Sequence, residues 1–201
     1  MITMGNHMRK VVWGLCLGMA MASCMSVSLP LAMAAREPAF TSNLGGTPIS
    51  CSVYAEQVAL DGVHTNDTAT SIIKKLGMPK SSRTDGGIIH YYYKGLTISL
   101  ANFGRKGPYT AYALETSSAG HYTPDGVGVG MSEEVLSNVY GTADSVWTKV
   151  YNSPKLSDEV NMKNQARFNE TIYTYNANAC LSMSFIVRKG HISEIHIDQA
   201  E

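Results

Sequence analysis

The sequence predicts an α+β fold of two tandem repeats, each a short helical element packed on an antiparallel three- or four-stranded sheet. Two observations carry this. The chain repeats its landmarks: Asp61-Gly62-Val63 leads through a short helical stretch to Leu76-Gly77, and Asp125-Gly126-Val127 leads through another to Tyr140-Gly141. Beyond each glycine the residues alternate apolar and polar, as in Leu96-Thr97-Ile98-Ser99-Leu100 and Leu181-Ser182-Met183-Ser184-Phe185. A period of two sets one face of a strand on a core and the other towards solvent or a partner.

The helices come first in each repeat. Thr68 and Ser132 hold matching positions, and both are good N-caps, because a side-chain oxygen can accept an orphan N–H of the first turn. Glu133 and Glu134 then suit the positive end of the second helix dipole. Ile72 and Leu76 match Leu136 and Tyr140, an apolar i, i+4 pair on one helix face. Gly77 and Gly141 fall where a left-handed residue ends a helix, and Pro79 bars continuation. At about two turns each, neither helix persists alone, so both must lie on the strands.

Among the strands, Ile88–Tyr93 corresponds to Thr171–Tyr175, with Tyr91 and Tyr93 matching Tyr173 and Tyr175. Arg105-Lys106-Gly107 and Arg188-Lys189-Gly190 supply turns before the last strands, Tyr109–Glu115 and Ile192–Asp198. The organisation that follows is a signal peptide at 1–34, an N-terminal segment at 35–60, repeat 1 at 61–124, and repeat 2 at 125–201 with an insertion at 142–170. Inside the insertion Ser145–Tyr151 reads as an additional strand, and polar Asn152–Arg167 as a loop or a short helix around Asp158–Asn164. Long insertions in compact units are often functional.

The first 34 residues read as a targeting segment. Arg9-Lys10 supply the charged start, Val11–Met21 the apolar stretch and Ala32-Met33-Ala34 the small-x-small cleavage pattern. A second reading stands beside it. Met21-Ala22-Ser23-Cys24 is a loose lipobox with Met in place of the usual Leu, which makes Cys24 a lipidation candidate and the mature N-terminus. Both readings export the chain, to be periplasmic, secreted or anchored by lipid, with no transmembrane span in the mature protein. The whole sequence carries 16 basic and 16 acidic residues; removing Arg9 and Lys10 leaves 14 basic against 16 acidic. No basic stretch stands out, which argues against a nucleic-acid or anionic-membrane partner.

Of four cysteines, Cys16 and Cys24 fall in the leader, leaving Cys51 and Cys180. In an oxidising compartment this pair is a disulfide candidate, and so long a loop would gain about 4 kcal/mol from closure. The other reading is two buried thiols.

The chemistry-bearing residues form no catalytic pattern. His7, His64, His90, His121, His191 and His196 make no HExxH or HxH pair, and neither a metal nor a cofactor is expected. Gly126-Val127-Gly128-Val129-Gly130 lacks the lysine and the preceding strand of a phosphate loop, and no Gly-x-Ser-x-Gly elbow occurs. An enzyme would need a dispersed site, with two of His64, His90 and His121 brought to a carboxylate; the expectation is a non-enzyme. Tyrosine is in excess, 11 against 4 phenylalanines. Tyr92 must face away from Tyr91 and Tyr93. Aromatic side chains offer large contact area at little entropic cost, so Tyr92, Trp147, Tyr109 and Tyr112 are the candidate binding residues.

A Gly-Val pair, a Ser/Thr-capped helix running into Leu-Gly-x-Pro, and tyrosine-bearing antiparallel strands together resemble the SmpA/OmlA (BamE-like) family of small envelope lipoproteins. The likeness covers roughly 61–115 and 125–198; Leu76-Gly77-Met78-Pro79 matches the pattern, whereas Tyr140-Gly141-Thr142-Ala143 lacks the proline. The tandem arrangement is similar to that of the β-lactamase inhibitory proteins. The resemblance implies helices on one sheet face and an open surface on the other, and it carries no functional residue to this chain. The expected function is therefore an exported, non-catalytic binding or scaffolding protein of the cell envelope, acting through protein–protein contacts with an unknown partner. The alternative is a proteinaceous inhibitor of a secreted or periplasmic enzyme, with the insertion as its protruding loop.

Overall fold

A computed structural model of the chain describes residues 40–44, 47–102, 107–152 and 154–200. The segment 1–34 read as a signal peptide, Cys24 within it, and Arg105 and Lys106 of the expected turn lie outside the described residues. The fold is α+β. Its centre is an antiparallel sheet of eight strands: β5 (Ser81–Asp85), β6 (Ile88–Tyr92), β7 (Leu96–Ala101), β8 (Thr110–Thr116), β9 (Ser145–Lys149), β10 (Glu170–Asn176), β11 (Leu181–Arg188) and β12 (His191–Gln199). Across the sheet the order is β5-β6-β7-β8-β12-β11-β10-β9. The chain therefore builds one four-strand meander, then a second, and their last strands meet, with Ile195 opposite Thr116 and Ile197 opposite Leu114. Two small hairpins, β1 (Phe40–Leu44) with β2 (Thr47–Cys51) and β3 (Ala59–Leu60) with β4 (Val63–His64), precede it.

Helix α1 (Ala69–Leu76) starts as its sequence dictates. The Thr68 hydroxyl accepts the Ser71 N–H at 3.2 Å, and the Ala69 N–H reaches the Tyr109 carbonyl at 3.2 Å. Beside it, burial works against the charge of Asp67. The Lys75 ammonium at 2.6 Å, the His64 N–H at 2.9 Å and the Ser71 hydroxyl at 3.0 Å nonetheless hold that carboxyl below its ordinary range. Helix α2 (Glu134–Tyr140) departs from expectation: Ser132 is not its N-cap. Residue 132 forms a β-bridge with His191, and the Glu133 N–H is held by the Gly190 carbonyl at 2.9 Å, just as Thr68 bridges Thr110 at the start of α1; the difference is that Glu133, with φ −51° and ψ −35°, stands at the cap position. Both helices end on glycine. Gly77 (φ +79°, ψ −171°) and Gly141 (φ +75°, ψ −145°) adopt backbone angles that a side chain makes costly.

Among the described residues, five strands lie outside the sequence expectation, β1 to β4 before α1 and β5 after it. The stretch between Gly77 and Ile88 contains β5, joined to β6 through Gly86 (φ +56°) and Gly87 (φ +85°), the two-residue turn a tight hairpin needs. In the insertion, β9 is an edge strand shorter than the sequence suggests, and α3 (Asp158–Phe168) is longer, begun by the Ser157 hydroxyl accepting the Val160 N–H at 3.4 Å.

The core lies between the sheet and the two shorter helices. Ile72 and Leu136 reach it from α1 and α2, meeting Ile98, Leu114, Phe185 and Ile195. Burying each such side chain stabilises by roughly 1.5–3 kcal/mol. Tyr140, Tyr175 and Phe185 form an aromatic cluster with ring centroids 5.2, 5.6 and 6.0 Å apart. Burial raises the phenols of Tyr140 and Tyr175, and Tyr140 shares a 2.7 Å hydrogen bond with the Thr123 hydroxyl. The N-terminal segment is tied across to the second meander: the Val53 N–H reaches the Asn176 carbonyl at 3.3 Å, and the Gln57 side chain donates to Asp125 at 3.0 Å.

Candidate binding surface

Strand alternation places a second set of side chains on the face opposite α1 and α2. Register defines a row across the sheet: Ser81, Tyr92, Thr97, Glu115, His196, Ser184, Thr174 and Ser145, each opposite the next. The residues are those the sequence alternation sets against the apolar positions, with hydroxyls and charges replacing Ile98, Leu114 and Phe185. Neighbours on the same face bond laterally. His90 Nδ1 and the Ser99 hydroxyl are 2.8 Å apart, and the Thr174 and Ser184 hydroxyls 3.0 Å. Arg188 bridges Glu170 at 2.7 Å and Glu194 at 2.8 Å, and Glu194 also meets His196 Nε2 at 3.1 Å. The Glu170 bond, with both carboxylates adding charge, raises the Arg188 guanidinium above its ordinary value despite desolvation.

A cleft of about 210 Å³ opens between β7, β8 and β12, lined by Thr97, Glu115, Thr116, Glu194 and His196. Its side chains offer two carboxylates beside hydroxyl and imidazole groups that both donate and accept hydrogen bonds. A second cleft, about 330 Å³, lies between Glu56, His64, Asn66, Asn178 and Gln199.

The four aromatic candidates do not converge. Tyr92 is half-buried on the row, its ring 6.3 Å from His90. Trp147, opposite Ile172, is 58% exposed at the far edge. Six strand spacings separate β6 from β9, roughly 29 Å at the usual interval. Tyr109 packs partly against the core near the start of α1, on the other side. Tyr112 sits at a bulge, where Ser99 opposes Ala113 and Leu100 opposes Ala111. Sequence alternation cannot see a bulge, and it cannot tell which strands end up adjacent. The signal for the polar row was legible in Thr97, Ser99, Ser182 and Ser184, but not the meeting of Glu115 with His196.

Other candidates take structural roles. His121 Nδ1 lies 2.6 Å from Asp61 and its Nε2 2.7 Å from the Lys94 carbonyl, so both ring nitrogens are occupied in joining three turns. Val127 is buried inside the glycine-rich stretch, and the Gly126 N–H closes a turn on the Thr123 carbonyl at 2.9 Å. Tyr173 donates to Glu133, tying the start of α2 to β10; that carboxylate, then burial, pushes the phenol up to about 12. Cys51 is buried and Cys180 half-buried. Among the described residues no group of three or more His, Cys, Asp or Glu is arranged to hold a metal ion.

No protein-family model matches the chain, and no curated protein matches it. Two solved structures are similar. One is an extracellular protein containing an SCP domain from Bacillus anthracis, with a TM-score of 0.43 and 9% identity over 67% of this chain. The chain spans 43% of that protein's length. The other is a DUF4309 family protein from Bacillus subtilis, with a TM-score of 0.37 and 16% identity, covering 69% of this chain and 83% of that one. Among the described residues no helix is long and apolar enough to cross a membrane.

Proposed function

We propose that the protein is an exported, non-catalytic binding or scaffolding component of the cell envelope, acting through the sheet face opposite α1 and α2. The observation that carries this is the row from Tyr92 to Ser145. It is a continuous lateral array of hydroxyl, carboxylate and imidazole groups with a polar cleft at its centre. Such a face is built for many modest polar contacts with a protein surface, rather than for enclosing a small molecule.

The finer reading of the fold belongs here too. We infer that the two meanders are copies of one unit, related to the SmpA/OmlA fold. The mirrored strand order, the matching Gly77 and Gly141, and the equivalent positions of Ile72 and Leu136 support it.

The test is site-specific photocrosslinking in intact cells. A benzoylphenylalanine at Thr97 or Ser184 should capture a defined envelope protein, while the same group at exposed Lys74 of α1 should not. Equal capture from both faces would sink the assignment. A stoichiometric hydrolase as the captured species would turn the reading to inhibition.

A further inference from the structure

The sheet has two open edges, and they differ in chemistry. At one end β5 reads Ser-Ser-Arg-Thr-Asp, with Arg83 and Asp85 paired at 3.5 Å. Charges of this kind discourage edge-to-edge pairing. At the other end β9 reads Ser-Val-Trp-Thr-Lys; all five residues are exposed, Val146 at 55% and Trp147 at 58%. Its inner edge pairs with β10, and among the described residues no strand covers its outer edge. An uncovered strand edge presents a row of backbone donors and acceptors that another strand can take up.

We propose that the occupant of this edge is a second copy of the chain, paired β9 to β9 in antiparallel fashion about a twofold axis at Trp147. In that register Trp147 meets its counterpart, Val146 faces Thr148 and Ser145 faces Lys149. The basic end of each strand then lies near the acidic end of the other, where Asp144, whose Oδ2 accepts from the Ser52 N–H at 3.2 Å and the Asn176 N–H at 2.7 Å, precedes Ser145. A parallel arrangement would set Lys149 against Lys149. Charge therefore selects the antiparallel form.

The molecule already uses this joint once, because its two meanders meet edge to edge through β8 and β12. The twofold contact is also closed: each copy spends its single apolar edge, and the polar β5 edge does not propagate a fibre. A five-residue strand buries less than a standard interface of about 1,600 Å², so the dimer is weak and reversible. This inference is independent of the partner-binding face.

The experiment is sedimentation equilibrium on the exported chain purified from the envelope, over about 1 to 500 μM, a range that brackets weak association. The expected result is a monomer–dimer equilibrium. Val146→Lys and Lys149→Glu should each weaken it at least about tenfold, a change on the order of 1.4 kcal/mol, with circular dichroism unchanged. If Val146→Lys perturbs the fold, Lys149→Glu, which places acid beside Asp144 of the other copy, decides. A chain monomeric throughout, a dimer indifferent to these substitutions, or species that keep growing with concentration would each overturn the proposal.

Discussion

At the scale of single residues, the sharpest constraints are backbone angles and one half-buried carboxylate. Gly77 and Gly141 hold φ near +79° and +75° with extended ψ, a region essentially closed to side chains. Gly77→Ala and Gly141→Ala should each destabilise by about 1–3 kcal/mol in urea unfolding. Gly107, whose added Cβ would meet nothing and whose φ is ordinary, should tolerate alanine within about 0.5 kcal/mol. Asp67 provides a pH signature. Its folded carboxyl titrates lower than in the unfolded chain, so its contribution is complete above the unfolded value near pH ~4 and fades as pH falls towards the folded one. Urea midpoints measured from about pH 6 down to pH 2 should show a shallower loss for Asp67→Asn than for the parent. An identical slope would mean that the Lys75 and His64 contacts do not hold in solution. The helix-ending glycines were legible because Gly in that position has one main reason to be there. The charge environment of Asp67 was not, since it depends on how α1 folds back over the β3–β4 turn.

Among the elements, the two helix starts look alike in sequence and differ in structure. Both pair with the sheet, Thr68 with Thr110 and Ser132 with His191, but the Thr68 hydroxyl accepts the Ser71 N–H and caps α1, whereas the Ser132 hydroxyl lies 3.4 Å from the Glu134 nitrogen. Thr68→Ala should therefore cost about 1 kcal/mol, and Ser132→Ala less than about half that, measured by thermal or urea unfolding. Equal costs would restore Ser132 as a true cap. Pairing with the sheet is common to both starts; at α2 it is the helical backbone of Glu133, φ −51° and ψ −35°, that takes the cap position from Ser132. Strand β5 teaches the complementary lesson. Asp85-Gly86-Gly87 is a readable hairpin turn, but the flanking Ser81–Asp85 lacks apolar alternation because every residue in it is exposed. An edge strand can be specified by its turn alone.

For the whole molecule, the decisive contact is the seam between β8 and β12. Ile197 and Leu114 oppose each other there and both are fully buried, so the two meanders share one core. Leu114→Ala and Ile197→Ala should each cost about 2–5 kcal/mol. The double variant should depart from additivity by about 0.5 kcal/mol or more, because the two side chains occupy one space. Unfolding of the parent should be a single transition, with circular dichroism and calorimetry coinciding. Two separated transitions would show that the halves fold as independent units and that the seam is incidental.

What the sequence determined by itself was the two repeat helices, every strand of the eight-stranded sheet but β5, and the face most of those strands bury. Alternation, capping residues and glycine stops are local properties, enforced by the backbone within a few residues of where they are written. Thr97, Ser99, Ser182 and Ser184 were visibly destined for one side, Ile98 and Phe185 for the other. Only the tertiary structure decided that β12 returns to lie beside β8, bringing Glu115 opposite His196 and leaving β5 and β9 as the outer edges. Pairing between strands so far apart along the chain leaves no periodic trace in either. It is settled by which hydrophobic faces close over one core, and every neighbour relation across the polar face follows from that choice.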